Sequence, residues 1–197
     1  MSVAETDLAA AADAIRRGEL VVYPTETVYG LGADALDPDA VERAYEAKGR
    51  ARSNPMSLGV PSVEAATEYV HAGERERRFM RAFLPGPVTV VCEKRDAVPD
   101  VLTGGRERVG VRVPDHDVAL ALLERAGPVT ATSANRSGTG SVQHADDLSD
   151  EFLEDVSVVL DGGETGGVES TVVDVEHDEI LRRGANADAI ENWLASE

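Results

Sequence analysis

Lysine is nearly absent from this sequence, yet one of its two lysines stands in Lys48–Met56, KGRARSNPM, while seventeen arginines supply the remaining basic side chains. Lys48 and Arg50, with Asn54 a short loop later, can converge on a phosphate chain. An ammonium serves there as a compact point charge, where a guanidinium would present a rigid fork. Cations at a helix end also complement the helix dipole, worth about 0.3–1 kcal/mol, but arginine fills that role equally well. A retained lysine therefore favours ligand chemistry at this segment.

Four other segments carry comparable groups. Pro24–Gly32, PTETVYGLG, follows an apolar strand with hydroxyls able to bind a small polar substrate and glycines that allow close backbone approach. In Arg106–Pro114, RERVGVRVP, Arg112 lies inside an apolar strand. A charge buried there needs a partner, either a ligand carboxylate or phosphate or one of the chain's own acids. Pro128–Gly138, PVTATSANRSG, ends a strand in Ser133-Ala134-Asn135, and strand ends in α/β sheets are favoured ligand positions. Turn capping accounts for the same Ser and Asn residues. Gly167–Asp174, GVESTVVD, and Leu181–Gly184, LRRG, put Glu169, Ser170 and Arg182 near a further loop rim.

Other chemistries are excluded. Gly30–Ala35 fits a relaxed GxGxxA pattern, but the preceding strand ends near Tyr23 and Arg50 stands where the ribose-binding acid belongs. Neither lysine completes a Walker A loop. His71, His116, His144 and His177 lack metal-ligand spacing, so no metal site is expected, and no Ser-centred nucleophile motif occurs. The single cysteine, Cys92, lies in an apolar run and reads as a buried, inert thiol.

The elements that must position these groups alternate unevenly. Helical periodicity marks Leu8–Arg17 with Asp7 as its cap, then Ala40–Lys48 behind Asp37-Pro38-Asp39, Val63–Val70, Glu74–Phe83, Val118–Glu124 and Ala187–Leu194. Strands are expected at Leu20–Tyr23, Met56–Val60, Val88–Cys92, Val109–Val113, Val129–Thr132, Val156–Leu160 and Ser170–Val175. The pattern predicts a mixed-sheet α/β structure of one domain over residues 1–197, with strand order undetermined.

Acids outnumber bases by 37 to 19, for a net charge of −18. Such self-repulsion is relieved by screening. With so little lysine, the composition predicts a halophilic source. No apolar run approaches the roughly 18 residues of a membrane helix, and no basic-then-apolar leader opens the chain; a soluble cytoplasmic protein without membrane contact is expected.

In order along residues 24–185, the motifs PTETVYGLG, KGR…NPM, LPGPVTVV, VGVRVPDH, TSANRSG, GVESTVVD and LRRGA resemble those of the YrdC/TsaC family. The resemblance implies a twisted α/β sheet with helices around a large concave cavity, in a short-form member from a halophilic archaeon. It also implies a nucleotidyltransferase that joins L-threonine, bicarbonate and ATP into threonylcarbamoyl-AMP and pyrophosphate, with Mg²⁺ carried by ATP. The product would feed a downstream threonylcarbamoyl-transfer complex modifying tRNA, with tRNA itself a possible partner. By motif, Thr27, Arg112, Ser133 and Ser170 fall to threonine. Lys48, Arg50, Asn54, Arg108, Asn135, Gln143 and Arg182 fall to ATP, with Lys48 and Arg50 catalytic. Departures include Ala51 for a common Pro, Gly59 where longer members often carry His, Leu84 before PGP where Trp is frequent, and Arg183 for a common Pro.

Two competing functions differ in what they require. Carbamoyl transfer of the hydrogenase-maturation kind occurs in long chains with cysteine-rich parts, which this chain does not match. A non-catalytic RNA-binding module would use basic clusters such as Arg43–Arg52 and Arg75–Arg81, against a net charge that repels phosphate at long range.

Overall fold

The computed structural model describes residues 3–196. Strand β1 (Leu20–Tyr23) shows how the architecture arises. Its side chains alternate between faces: Leu20 and Val22 enter one core, Val21 and Tyr23 another. A strand covered on both faces reads as an unbroken apolar run, as LVVY does. Helices α1 (Glu5–Arg16) and α6 (Asp117–Ala126) pack together on the Val21 side through Leu8, Ile15, Leu122 and Leu123. The larger core, on the other side, takes in helix α2 (Pro38–Lys48) through Val41 and Tyr45 and helix α4 (Glu74–Phe83) through Phe79 and Met80.

The remaining strands are β2 (Gly30–Gly32), β3 (Ser57–Gly59), β4 (Val70–His71), β5 (Val88–Lys94), β6 (Arg108–Arg112), β7 (Val129–Ser133), β8 (Val156–Val159), β9 (Thr171–Asp174) and β10 (Glu179–Arg182). They form one ten-stranded mixed sheet in the order β10-β9-β5-β6-β3-β7-β2-β1-β8, with β4 added to β5. Pairings β1/β8, β3/β6 and β5/β9 are parallel and the others antiparallel. Short helices α3 (Val63–Ala66), α5 (Asp100–Thr103) and α7 (Asp150–Leu153) fill connections, and α8 (Ala187–Ser196) closes the described chain.

Local chemistry fixes the ends that matter. The Asp37 side chain accepts from Asp39 N at 3.0 Å, Pro38 occupies the first turn, and Gly49 at φ 55° ends α2 in the left-handed conformation that glycine adopts without strain. Lys48 is therefore the last helical residue, aimed by its helix rather than by a loop.

Two expectations are corrected. Asp7 does not cap α1; Ala4 does so without a side-chain bond, and Asp7 lies in the first turn. The helix expected over Val63–Val70 stops at Ala66, because the carbonyls of Thr67, Tyr69 and Val70 turn to Arg95 and Val70 joins β5. Gly30 of PTETVYGLG lines the cleft and serves the fold as well, since a Cβ there would stand 2.9 Å from the Tyr23 ring. Cys92 is fully buried as expected, and burial pushes its thiol up.

Candidate active site

Several strand ends and loops open onto one cleft of about 990 Å³. It is lined by Thr27 after β1, by Lys48, Arg50 and Asn54 from α2 and its loop, and by Arg108 and Arg112 from β6. Ser133 at the end of β7, Asn135 just after it, Ser170 before β9 and Arg182 at the end of β10 complete ten of the eleven residues expected in the site. Gln143 lies outside this lining: its carbonyl accepts from Thr165, and its side chain packs where a Cβ on Gly167 would fall. Six cationic side chains face the cleft (Lys48, Arg50, Arg106, Arg108, Arg112 and Arg182) against three acidic ones (Glu107, Glu169 and Asp174), the reverse of the chain's overall balance. A cleft of this polarity concentrates anions despite the acidic exterior.

Lys48 is only 2% exposed. Its ammonium donates to the main-chain carbonyl of Ser133 and, at 2.7 Å, to that of Asn135. Burial first, then the neighbouring Arg50, push its pKa down to about 8, while Glu169 opposes. Arg50 is likewise lowered, chiefly by burial. It donates to the carbonyls of Asn54 at 2.9 Å and Pro55 at 3.0 Å, folding the KGRARSNP loop back on itself. Asn135 ties its own loop by donating from Nδ2 to Thr139 O at 2.7 Å, and its Oδ1 is left buried without a hydrogen-bond partner.

On the other side Arg112 meets an acid that sequence reasoning did not single out. Its Nη2 lies 3.1 Å from Glu26 Oε1 and donates to Thr27 Oγ1 at 2.8 Å. Thr27 Oγ1 is itself 2.9 Å from Thr25 Oγ1, and Thr25 donates to Val28 O at 2.6 Å, a short hydroxyl turn that fixes PTET. The partner of Arg112 is thus one of the chain's own acids, as one branch of the sequence reading allowed. The signal was there: a glutamate between two threonines, on a buried segment.

Ser170 joins the two halves. Arg182 Nη2 donates to Ser170 Oγ at 3.0 Å and to its carbonyl at 2.8 Å, while Thr89 Oγ1 lies 3.2 Å from the same hydroxyl. Glu169 pairs with Arg182 Nη1 at 3.0 Å and accepts from Ser141 at 2.6 Å. Arg108 is engaged by Asp174 at 2.9 Å and by Glu176. Asp174, Glu176 and His177 bring potential metal-ligand atoms within 4.8 Å of one another, but Arg108 already supplies the cluster's positive charge.

Residues 13–184 match the Sua5/YciO/YrdC family model, described as "Telomere recombination". The chain belongs to this family. Among Sua5/YciO/YrdC relatives, a "Threonylcarbamoyl-AMP synthase" of Pyrococcus abyssi is 44% identical over 88% of this chain and 52% of its own length. A "Putative threonylcarbamoyl-AMP synthase" of Methanocaldococcus jannaschii is 32% identical over 85% of this chain and 79% of its own. The solved structure "Crystal structure of P. abyssi Sua5 complexed with L-threonine" superposes with a TM-score of 0.88 at 43% identity, over 93% of this chain and 56% of that one. The chain thus spans about half the length of the Pyrococcus abyssi relative. The mixed α/β sheet expected from the sequence is the fold of this family.

Proposed function

We propose that this chain is a threonylcarbamoyl-AMP synthase acting on L-threonine, bicarbonate and ATP. The observation that carries the reading is one cleft lined together by Lys48, Arg50, Arg182, Arg112, Thr27, Ser170, Ser133 and Asn135, with Arg182 bonded directly to Ser170. Relatives named as this synthase, and a threonine-bound neighbour in the family, support it.

In the reaction, the threonine amine and bicarbonate condense to a carbamate with loss of water. A carbamate oxygen then attacks the α-phosphorus, and pyrophosphate leaves with the electrons of the broken P–O bond. Carbamate and triphosphate are both anionic, so the protein's task is to neutralise charge and align groups. Lys48 and Arg50 take the phosphates, Arg182 bridges to the threonine end through Ser170, and Arg112 receives the amino-acid carboxylate. Two of the cleft's three acids are already engaged, Asp174 by Arg108 and Glu169 by Arg182 and Ser141. A hydrated Mg²⁺ delivered on ATP suits such a site and would supply further neutralisation of the phosphates.

The same reading makes the protein a cytoplasmic nucleotidyltransferase that feeds a tRNA threonylcarbamoyl-transfer complex, in a salt-rich cell. Among the described residues no helix is long and apolar enough to cross a membrane. The test is pyrophosphate release measured with each substrate omitted in turn. Release that requires both threonine and bicarbonate supports the synthase; release indifferent to either overturns it.

A further inference from the structure

Glu26 pairs with Arg112, and the synthase reading gives it no task toward the substrate. Its side chain is 16% exposed, and both carboxylate oxygens are buried without a hydrogen-bond donor among the described residues. Burying a carboxylate without hydrogen bonds is unfavourable, and the ion pair with Arg112 offsets that cost only in part. Two titratable neighbours are kept uncharged near neutrality by burial: Tyr23 is pushed up to about 12 and the half-buried His116 is pushed down. Arg112 and Glu26 stand 3.1 Å apart as an ion pair at this wall, with Asp115 and Asp117 also acting on His116.

Such a pair is a fixed dipole with its positive end on the cleft. A plain carboxylate that docks on Arg112 adds a second negative charge beside Glu26. An α-amino acid brings an ammonium on the carbon next to its carboxylate, so its own dipole runs opposite to that of the pair. Charges a few ångströms apart still interact through a partly buried wall, and a charge that repels the wrong ligand is a recognised route to specificity.

We propose that Glu26 is a specificity-determining residue that makes the Arg112 pocket select zwitterionic α-amino acids over simple carboxylates. The proposal rests on the synthase reading, which assigns this end of the cleft to threonine. It gives the acid a second task besides pairing Arg112: a neutral group in its place would admit any anion. The selection serves the chemistry, because the amine is the group that must react.

Calorimetric titration of the full chain with L-threonine and with (R)-3-hydroxybutyrate, the same molecule without its amine, tests this. The wild type should prefer threonine, and Glu26→Gln should narrow that preference at least tenfold, weakening threonine while strengthening hydroxybutyrate. Glu26→Asp keeps the charge one methylene further back and should shift the ratio the same way by less. It carries the test if the Gln variant lacks a cooperative melt. An unchanged ratio in the variant carrying the test overturns the inference and leaves the synthase reading standing. A wild type that binds neither ligand and releases no threonine-dependent pyrophosphate overturns both.

Discussion

Lys48 Nζ donates to the main-chain carbonyl of Asn135 at 2.7 Å, so the last turn of α2 and the Ser133–Asn135 loop form one unit. The ammonium also satisfies the Ser133 carbonyl, and it does both while almost wholly removed from solvent. A residue placed this way can tune the shape of the cleft as well as its charge.

Lys48→Ala should therefore lower both activity and stability. Turnover falls at least tenfold, about 1.4 kcal/mol of transition-state stabilisation, because the phosphates lose a charge. Losing the donor to two carbonyls destabilises the fold by about 1–3 kcal/mol. Lys48→Met, which keeps the apolar stem, should recover part of the melting temperature and none of the activity. Full turnover in either variant at subsaturating ATP would remove Lys48 from the mechanism.

The same lysine sets a pH dependence. Its pKa of about 8 in the fold lies below its ordinary 10.5, so between these values the folded chain binds fewer protons than the unfolded one. The contribution of Lys48 to stability is thus fully present above pH 10.5 and is lost as pH falls through 8. Its ability to hold phosphate runs the other way, fading as the ammonium deprotonates above pH 8. A profile of kcat/KM for ATP should bend downward on the alkaline side near pH 8. Lys48→Arg, whose guanidinium stays charged, should flatten that limb at a lower plateau; an identical limb in both proteins assigns it to another group.

Ser133 and Asn135 should separate the two substrates. Ser133 lines the cleft between the proposed threonine and phosphate groups, and Ser133→Ala should mainly raise KM for threonine. Asn135 ties its loop to Thr139 through Nδ2 and accepts from Lys48 through its carbonyl, so Asn135→Ala should mainly impair ATP use. Each loss is about 1.5–3 kcal/mol if the partner is charged. Separate titration of the substrates decides it, and equal defects toward both would mark the loop as structural.

What could be read in advance follows from range. Leu20–Tyr23 was legible as a strand because burial on both faces leaves an unbroken apolar run, and α2 because Asp37, Pro38 and Gly49 punctuate it locally. Thr27, Arg112 and Ser170 were legible through their motifs, and the sheet brings them to one cleft although 143 positions separate Thr27 from Ser170. A glutamate between two threonines hinted at a buried acid, but its pairing with Arg112 was not legible, since that depends on which strand lies beside which. The same holds for β4, a two-residue strand created by β5 rather than by its own propensity. Lys48 was legible as a helix-end cation but its burial was not, because nothing local announces that Ser133 and Asn135 close over it.

Salt should stabilise this fold. With a net charge of −18 and ion pairs largely confined to side chains that remain partly exposed, such as Arg52–Glu42, most of the acidic excess is left without compensation at the surface. Exposed pairs of this kind contribute little each, about 0–1 kcal/mol. The repulsion among uncompensated carboxylates is screened once the Debye length falls toward about 3 Å at molar salt, and apolar burial is not weakened by it. The cleft responds differently: Lys48 and Arg112 are buried, so their hold on an anion is screened less than surface charge is. Melting temperature should rise from low salt to several molar KCl, and threonine-dependent pyrophosphate release should persist across the same range. A melting temperature that is flat or falls with KCl would count against adaptation to a salt-rich cell, and it would leave the reading of the cleft untouched, because that reading rests on buried and loop residues facing inward rather than on the acidic exterior.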